Sequence, residues 1–173
     1  MATRLWAPWR GAYIRAAAAD CAAGRKTCLF CRLRRSRDDE ADLVLCRDEL
    51  AFAVLNRFPY NNGHLMVAPV RHVADYSRLR PAEVAAVGAL VQRAIRALAR
   101  DARPHGFNVG MNLGRAAGAG EDTHLHVHVV PRWNGDTNFM PALAETRVVG
   151  EHLAETWRRL RPLLAPRRAK GAR

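Results

Sequence analysis

The sequence predicts an α+β domain, an antiparallel sheet carrying one long helix and a C-terminal helix. Three observations predict it. Short apolar runs lie on both sides of a single long stretch with helical periodicity. The connections between them are turn-like, as expected for an α+β arrangement. The 173 residues contain no internal repeat and no linker, so they fit one domain. Within it, residues 1–25 read as an N-terminal extension, 26–165 as the folded unit and 166–173 as a basic tail.

Residues 1–40 read as irregular, with Trp6 and Trp9 among small residues and arginines. Arg32–Asp42 (RLRRSRDDEAD) is dense in charge and reads as an exposed loop. Leu43–Leu45 and Ala51–Leu55 read as strands parted by a turn at Arg47-Asp48-Glu49. Asn61-Asn62-Gly63 is a strong turn signal. It leads into an apolar strand, Leu65–Val70, that Pro69 helps to close. Pro81 suits a first helical position, and Glu83 suits the positive end of a helix dipole. Val84, Val87, Leu90, Val91, Ala94, Ile95 and Leu98 then recur at helical spacing, and Pro104 and Gly106 end the helix. A strand at Phe107–Asn112, a loop at Gly114–Gly120, a strand at Leu125–Pro131 and a closing helix from Val148 to Leu164 complete the series.

Composition narrows the function classes. Apolar residues make up 49% and charged residues 25%, which suits a packed core rather than a disordered chain. No run of about 18 apolar residues is present, so no membrane span is expected. No signal-peptide pattern is evident at the N-terminus, and the expected location is the cytoplasm. A net charge of +12 concentrates anions near the surface but carries no information about fold. Arginine far outnumbers lysine and alanine abounds, as biased base composition would produce, and part of the excess sits in the tail Pro166–Arg173. Nucleic acid is therefore not expected as the main partner.

The cysteines are Cys21, Cys28, Cys31 and Cys46. A disulfide framework is not expected in a cytoplasmic protein. Cys28-Leu29-Phe30-Cys31 reads as half a zinc knuckle, a redox pair or two unrelated thiols. Redox chemistry lacks the βαβ context it usually has, and Cys21 and Cys46 read as ordinary residues.

His124-Leu125-His126-Val127-His128-Val129-Val130-Pro131-Arg132 carries most of the functional information. Alternate side chains of a strand point to opposite faces. The three imidazoles are thus expected in one solvent-facing row, with Leu125, Val127 and Val129 entering the core behind them. A helix would scatter them in roughly 200° steps. A tag-like run would not alternate with core residues mid-chain. A metal site made by all three is awkward, because strand positions two apart are separated by about 7 Å. Nucleophilic or acid–base chemistry fits the row better, since a free imidazole has a pKa near 6.5 and is a competent nucleophile when neutral.

This stretch resembles the His-x-His-x-His-x-x motif of the histidine-triad superfamily of nucleotide hydrolases and transferases. Leu55–His72 (LNRFPYNNGHLMVAPVRH) is similar to the family's upstream segment, and Gly106–Gly120 (GFNVGMNLGRAAGAG) resembles its nucleotide-and-phosphate loop. The resemblance covers about residues 26–140. RLWAPWRGAYI near the start and Val129–Met140 (VVPRWNGDTNFM) look closest to the actinobacterial-type diadenosine tetraphosphate phosphorylases. A histidine-triad-like fold and a homodimer or larger homo-oligomer, paired through the sheet and long helix, are what the resemblance implies.

The same resemblance implies residue roles. His126 matches the nucleophile, and His128 the residue that binds the scissile phosphate and helps the leaving group. Asn56 and His64 match positions near the ribose and the catalytic face. Asn112, Gly118 and Gly120 fall where the family contacts phosphates; read alone, the glycine-rich loop is equally a flexible connection. Trp133 is open between stacking on a base and an interfacial or core role. Zinc is implied at Cys28, Cys31, His72 and His124, which leaves His126 and His128 for chemistry. His105 and His152 read as surface histidines. One departure stands out: hydrolases of the family commonly carry glutamine or serine just before the triad, where this chain reads Ala119-Gly120-Glu121-Asp122-Thr123.

The implied activity is transfer of a nucleotidyl group from a dinucleoside polyphosphate to phosphate through a nucleotidyl-His126 intermediate. The nearest rival keeps the intermediate and uses water, as a dinucleoside polyphosphate or aminonucleotide hydrolase. Rivals of other classes are a zinc-stabilised nucleotide-binding protein with little turnover and a nucleic-acid end-processing protein.

Overall fold

The computed structural model describes residues 27–136 and 151–165. The expected N-terminal extension with Trp6, Trp9 and Cys21, the start of the closing helix at Val148, and the basic tail lie outside the described residues. Among those described, five strands form one antiparallel sheet in the order β1-β2-β3-β5-β4: β1 Val44–Arg47, β2 Ala51–Leu55, β3 Leu65–Pro69, β4 Gly106–Gly110 and β5 Val127–Arg132. Three helices accompany it: α1 Leu29–Arg35, α2 Pro81–Ala102 and α3 Leu153–Leu164.

Strand register explains what each face carries. Directly opposed residues of an antiparallel pair share a face. Val54 opposes Met66, and Met66 opposes His128, so these stand together on one face with Phe52 and Ala68. Leu55, Leu65 and Val129 line the other face, which α2 covers along β2, β3 and β5. Every residue of β2 and of β3 is buried, because both faces of the sheet are covered there.

The long helix starts as its sequence requires. Pro81 occupies the first turn, and the Glu83 carboxylate accepts the backbone N–H of Arg80 at 2.8 Å. Glu83 also receives the Arg71 guanidinium at 2.8 and 2.7 Å, which ties the segment carrying His72 to the start of α2. Val87, Leu90, Ala94 and Leu98 form its buried stripe. Of the apolar series, Val84 remains exposed, at the solvent end of that stripe. The helix stops where Arg103 takes a left-handed conformation (φ 44°) before Pro104. The closing helix α3 packs on α2 and β1, and the Trp157 indole N–H donates to the Val44 carbonyl at 2.8 Å.

Gly63 is the glycine the fold cannot replace cheaply. Its φ is +76°, and a Cβ there would meet Leu98 Cδ2 at 2.9 Å. It sits in the turn that brings β3 back beside β2, immediately before His64.

Several sequence expectations need correction. Residues 29–35 form a helix rather than irregular chain, because Phe30 and Leu33, three apart, are buried on one side while Arg32, Arg34 and Arg35 suit the negative C-terminal end. The first strand runs Val44–Arg47, shifted past Leu43, whose φ of 59° turns the chain into the sheet. The fourth strand is Gly106–Gly110, one to two residues earlier than expected. The last strand begins at Val127, so His124, Leu125 and His126 precede it.

Candidate active site

The site is built on the sheet face opposite α2. His128 is in β5, between Met66 of β3 and Gly110 of β4. His126 precedes it, and their rings meet edge to face at 4.9 Å. The row is not the wet surface the alternation suggested: His124 is 1% and His126 6% exposed. The cover is α1, whose Phe30 ring lies 4.7 Å from the His126 ring and 5.3 Å from that of His124.

Hydrogen bonds fix which nitrogen of each imidazole carries the proton. The His126 Nδ1 stands 2.9 Å from the His124 carbonyl, an acceptor only, so Nδ1 carries hydrogen and Nε2 carries the lone pair. Burial lowers the pKa of His126 and keeps that lone pair unprotonated. His64, fully buried, accepts the Tyr60 backbone N–H on Nδ1 at 3.0 Å. Its Nε2 therefore donates to His128 Nδ1 at 2.9 Å, and neutral His128 holds its own proton on Nε2. Burial first, then the neighbouring His128 and His126, push His64 down to about 3. It is a neutral strut.

Asn56 supports this strut. Its backbone N–H donates to the His64 carbonyl at 2.9 Å, its side-chain oxygen accepts the Phe58 N–H at 2.9 Å, and its amide nitrogen lies 3.3 Å from His64 Nδ1. Half-buried Asn56 and buried His64 thus join His126 and His128 in one hydrogen-bonded cluster.

A second cluster adjoins the first. Cys28 Sγ lies 3.3 Å and Cys31 Sγ 3.7 Å from His124 Nδ1, and Cys31 Sγ lies 3.3 Å from His72 Nδ1. One donor atom from each of Cys28, Cys31, His72 and His124 falls within 4.8 Å of all the others. Tetrahedral zinc with bonds of about 2.0–2.3 Å wants donors roughly 3.3–3.8 Å apart, so the set fits with a small contraction. The Pro69 carbonyl accepts His124 Nε2–H at 2.9 Å, leaving Nδ1 as the ligating nitrogen and supplying the outer hydrogen bond that metal histidines usually have. Burial pushes the Cys28 thiol up to about 11, so thiolate there calls for a cation. The Leu125 N–H donates to the Val73 carbonyl at 2.7 Å, which sets His72 and His124 side by side.

Asn112 follows β4, and Gly118 closes a short turn of 3-10 helix at φ 89°. Gly120 is exposed, before Glu121. Trp133 follows β5, and its indole N–H donates to the Ala102 carbonyl at the end of α2 at 3.3 Å. An open groove of about 460 Å³ runs beside Arg71–Asp75, Arg78, Asp122 and Thr123, on the His72 flank rather than over His126.

Sequence reasoning missed two residues. Phe30 was legible only as the apolar residue inside the cysteine pair. Glu121, noted as a departure, accepts the Leu29 N–H at 3.3 Å and so ties α1 to the triad loop. No sequence signal marks that contact.

Comparisons with known proteins agree with this geometry. The family model for the HIT domain matches residues 37–135. The chain is 43% identical over 160 residues to the AP-4-A phosphorylase of Mycobacterium tuberculosis, covering 91% of this chain and 82% of that protein. It is 32% identical over 112 residues to a 16.1 kDa HIT-like protein of Mycoplasma pneumoniae, covering 65% of this chain and 76% of that one. Among solved structures, it is similar to a Zn-bound histidine triad family protein from Mycobacterium smegmatis, with TM-score 0.58, 29% identity and coverage of 86% and 92%. With the family model over more than half its length and the imidazoles in place, the chain belongs to the HIT domain family.

Proposed function

We propose that the protein cleaves diadenosine tetraphosphate with phosphate, giving ADP and ATP, through a covalent adenylyl-His126 intermediate. The observation that carries the mechanism is the His124 carbonyl on His126 Nδ1, which leaves Nε2 as a neutral nucleophile. The likeness to a relative named AP-4-A phosphorylase supports the substrate.

His126 Nε2 attacks the terminal-adenosine phosphorus, a P–N bond forms, and the bridging P–O bond breaks to release ATP. A phosphate oxygen then attacks the same phosphorus, the P–N bond breaks, and ADP leaves. Each displacement is easier than a direct one because the imidazole is both a good nucleophile and a good leaving group. His128 Nε2–H serves the departing oxygen, its tautomer held by His64. Asn112, Gly118 and Gly120 hold the phosphates through backbone and amide donors. Zinc on Cys28, Cys31, His72 and His124 is structural: all four positions are protein ligands, so none is open to substrate. The reading places the reaction in the cytoplasm, where phosphate and nucleotides are plentiful, with no membrane and no nucleic acid involved. No helix among the described residues is long and apolar enough to cross a membrane. It also makes the protein a homodimer paired along β4, an edge strand whose Val109 is 46% exposed.

Product analysis with and without phosphate tests this. ADP plus ATP, formed only when phosphate is present, is the expected result. AMP plus ATP irrespective of phosphate would replace phosphorolysis by hydrolysis.

A further inference from the structure

The ring that backs the nucleophile belongs to the cysteine helix. Phe30 lies between Cys28 and Cys31 and is 1% exposed. Its ring is stacked on the His126 imidazole, with centroids 4.7 Å apart and planes inclined by 29°. Phe30 also meets the Phe52 ring of β2 edge-on at 6.3 Å, which braces it from the sheet. Glu121 draws the start of the same helix onto the triad loop through the Leu29 N–H.

A single hydrogen bond at Nδ1 leaves an imidazole free to swing about that bond. His126 has one such bond, to the His124 carbonyl. The swing carries Nε2 sideways, and displacement at phosphorus requires that atom in line with the departing oxygen. A face-on aromatic wall on one side and the His128 edge on the other remove the swing. Offset stacking at this separation is the favoured aromatic geometry, so the wall attracts as well as blocks.

We propose that Phe30 is a positioning residue for His126: its stacked ring, delivered by the cysteine helix, holds Nε2 on the line of attack. The inference rests on His126 being the nucleophile. It adds a residue that acts through the nucleophile, by holding its ring in place.

Phe30→Leu keeps an apolar side chain and removes the stacking plane. With diadenosine tetraphosphate and phosphate, kcat should fall about tenfold while KM stays within twofold, since a small misplacement costs rate rather than binding. Phe30→Tyr, which keeps the ring, should recover most of the loss. Leu33→Ala on the same helix, 5% exposed, loosens the core while keeping the Phe30 ring beside His126, and should keep kcat. In the full wild-type chain, NMR should show His126 ring protons shifted upfield by the Phe30 ring current, with cross-relaxation between the rings. The shift should vanish in Phe30→Leu. Unchanged kcat in Phe30→Leu, an equal kcat loss in Leu33→Ala, or absence of the ring-current shift in wild type would each overturn the proposal. His126→Asn is the separate control: if that variant keeps its activity, the nucleophile reading fails, whatever Phe30 does.

Discussion

At the scale of single residues, each imidazole of the site has a distinct environment and therefore a distinct task. His126 donates from Nδ1 to a carbonyl and keeps Nε2 for attack, while His128 receives from His64 and keeps a proton to give. Replacing His126 by Asn preserves a short polar side chain but removes the nucleophile. Turnover of diadenosine tetraphosphate should fall by at least about a thousandfold, with nucleotide affinity nearly unchanged. Acid quench of wild type with labelled substrate should trap label on His126. A variant retaining a tenth of wild-type turnover would mean a loss below about 1.4 kcal/mol, too little for a covalent step. His128→Asn should be milder, because it removes stabilisation of the leaving group and leaves the P–N bond able to form.

At the scale of elements, α1 is where the chain departs most from its own sequence pattern. Seven residues with four basic or cysteine side chains among them carry too little periodicity to announce a helix. Tertiary contacts make it: Phe30 and Leu33 enter the core, and Cys28 and Cys31 face His72 and His124. Metal analysis of the full chain should find about one zinc per chain. Cys28→Ser should lose most of it and lower the Tm by several degrees before touching the chemistry; an equally stable, metal-free wild type would sink the assignment. Gly63→Ala makes the corresponding point for the β2–β3 turn, and its left-handed φ and the 2.9 Å approach to Leu98 should cost about 1–3 kcal/mol in denaturant unfolding. The turn at Asn61–Gly63, the strands β2 and β3 and the helix α2 were legible because local chemistry and burial pattern agree there. The triad's shared face was legible from alternation too. Its burial was not, since that depends on Phe30, nearly a hundred positions away. Nor did the sequence mark His64 as a strut, because only the fold brings its Nε2 to His128.

At the scale of the whole molecule, the site makes stability depend on pH. His64 is driven down to about 3 by burial first and then by His128 and His126, whereas in an unfolded chain it titrates near 6.5. Between those values the unfolded chain binds a proton that the folded one refuses. Stability therefore rises with pH through this window: it is complete above about 6.5 and is lost as the pH falls towards 3. Burial shifts His124 and His126 in the same direction. Glu83 adds to the trend at the acid end, because Arg71 pulls its carboxyl down to about 2, and the stability this contributes is lost as the pH drops below the ordinary carboxylate range. Protonation also adds charge to a chain that already carries +12, so repulsion acts with the histidines rather than against them. The expected result is a Tm that declines steadily from pH 7 to pH 4, with unfolding midpoints followed by circular dichroism. Release of metal from the cysteines would lower the Tm over the same range in any variant, so the contribution of His64 is read as a difference in slope. His64→Gln cannot take up a proton in either state, and its Tm should decline less steeply than that of wild type between pH 6.5 and 4. Parallel curves for the two proteins would mean that His64 is not the buried neutral strut the hydrogen bonds describe.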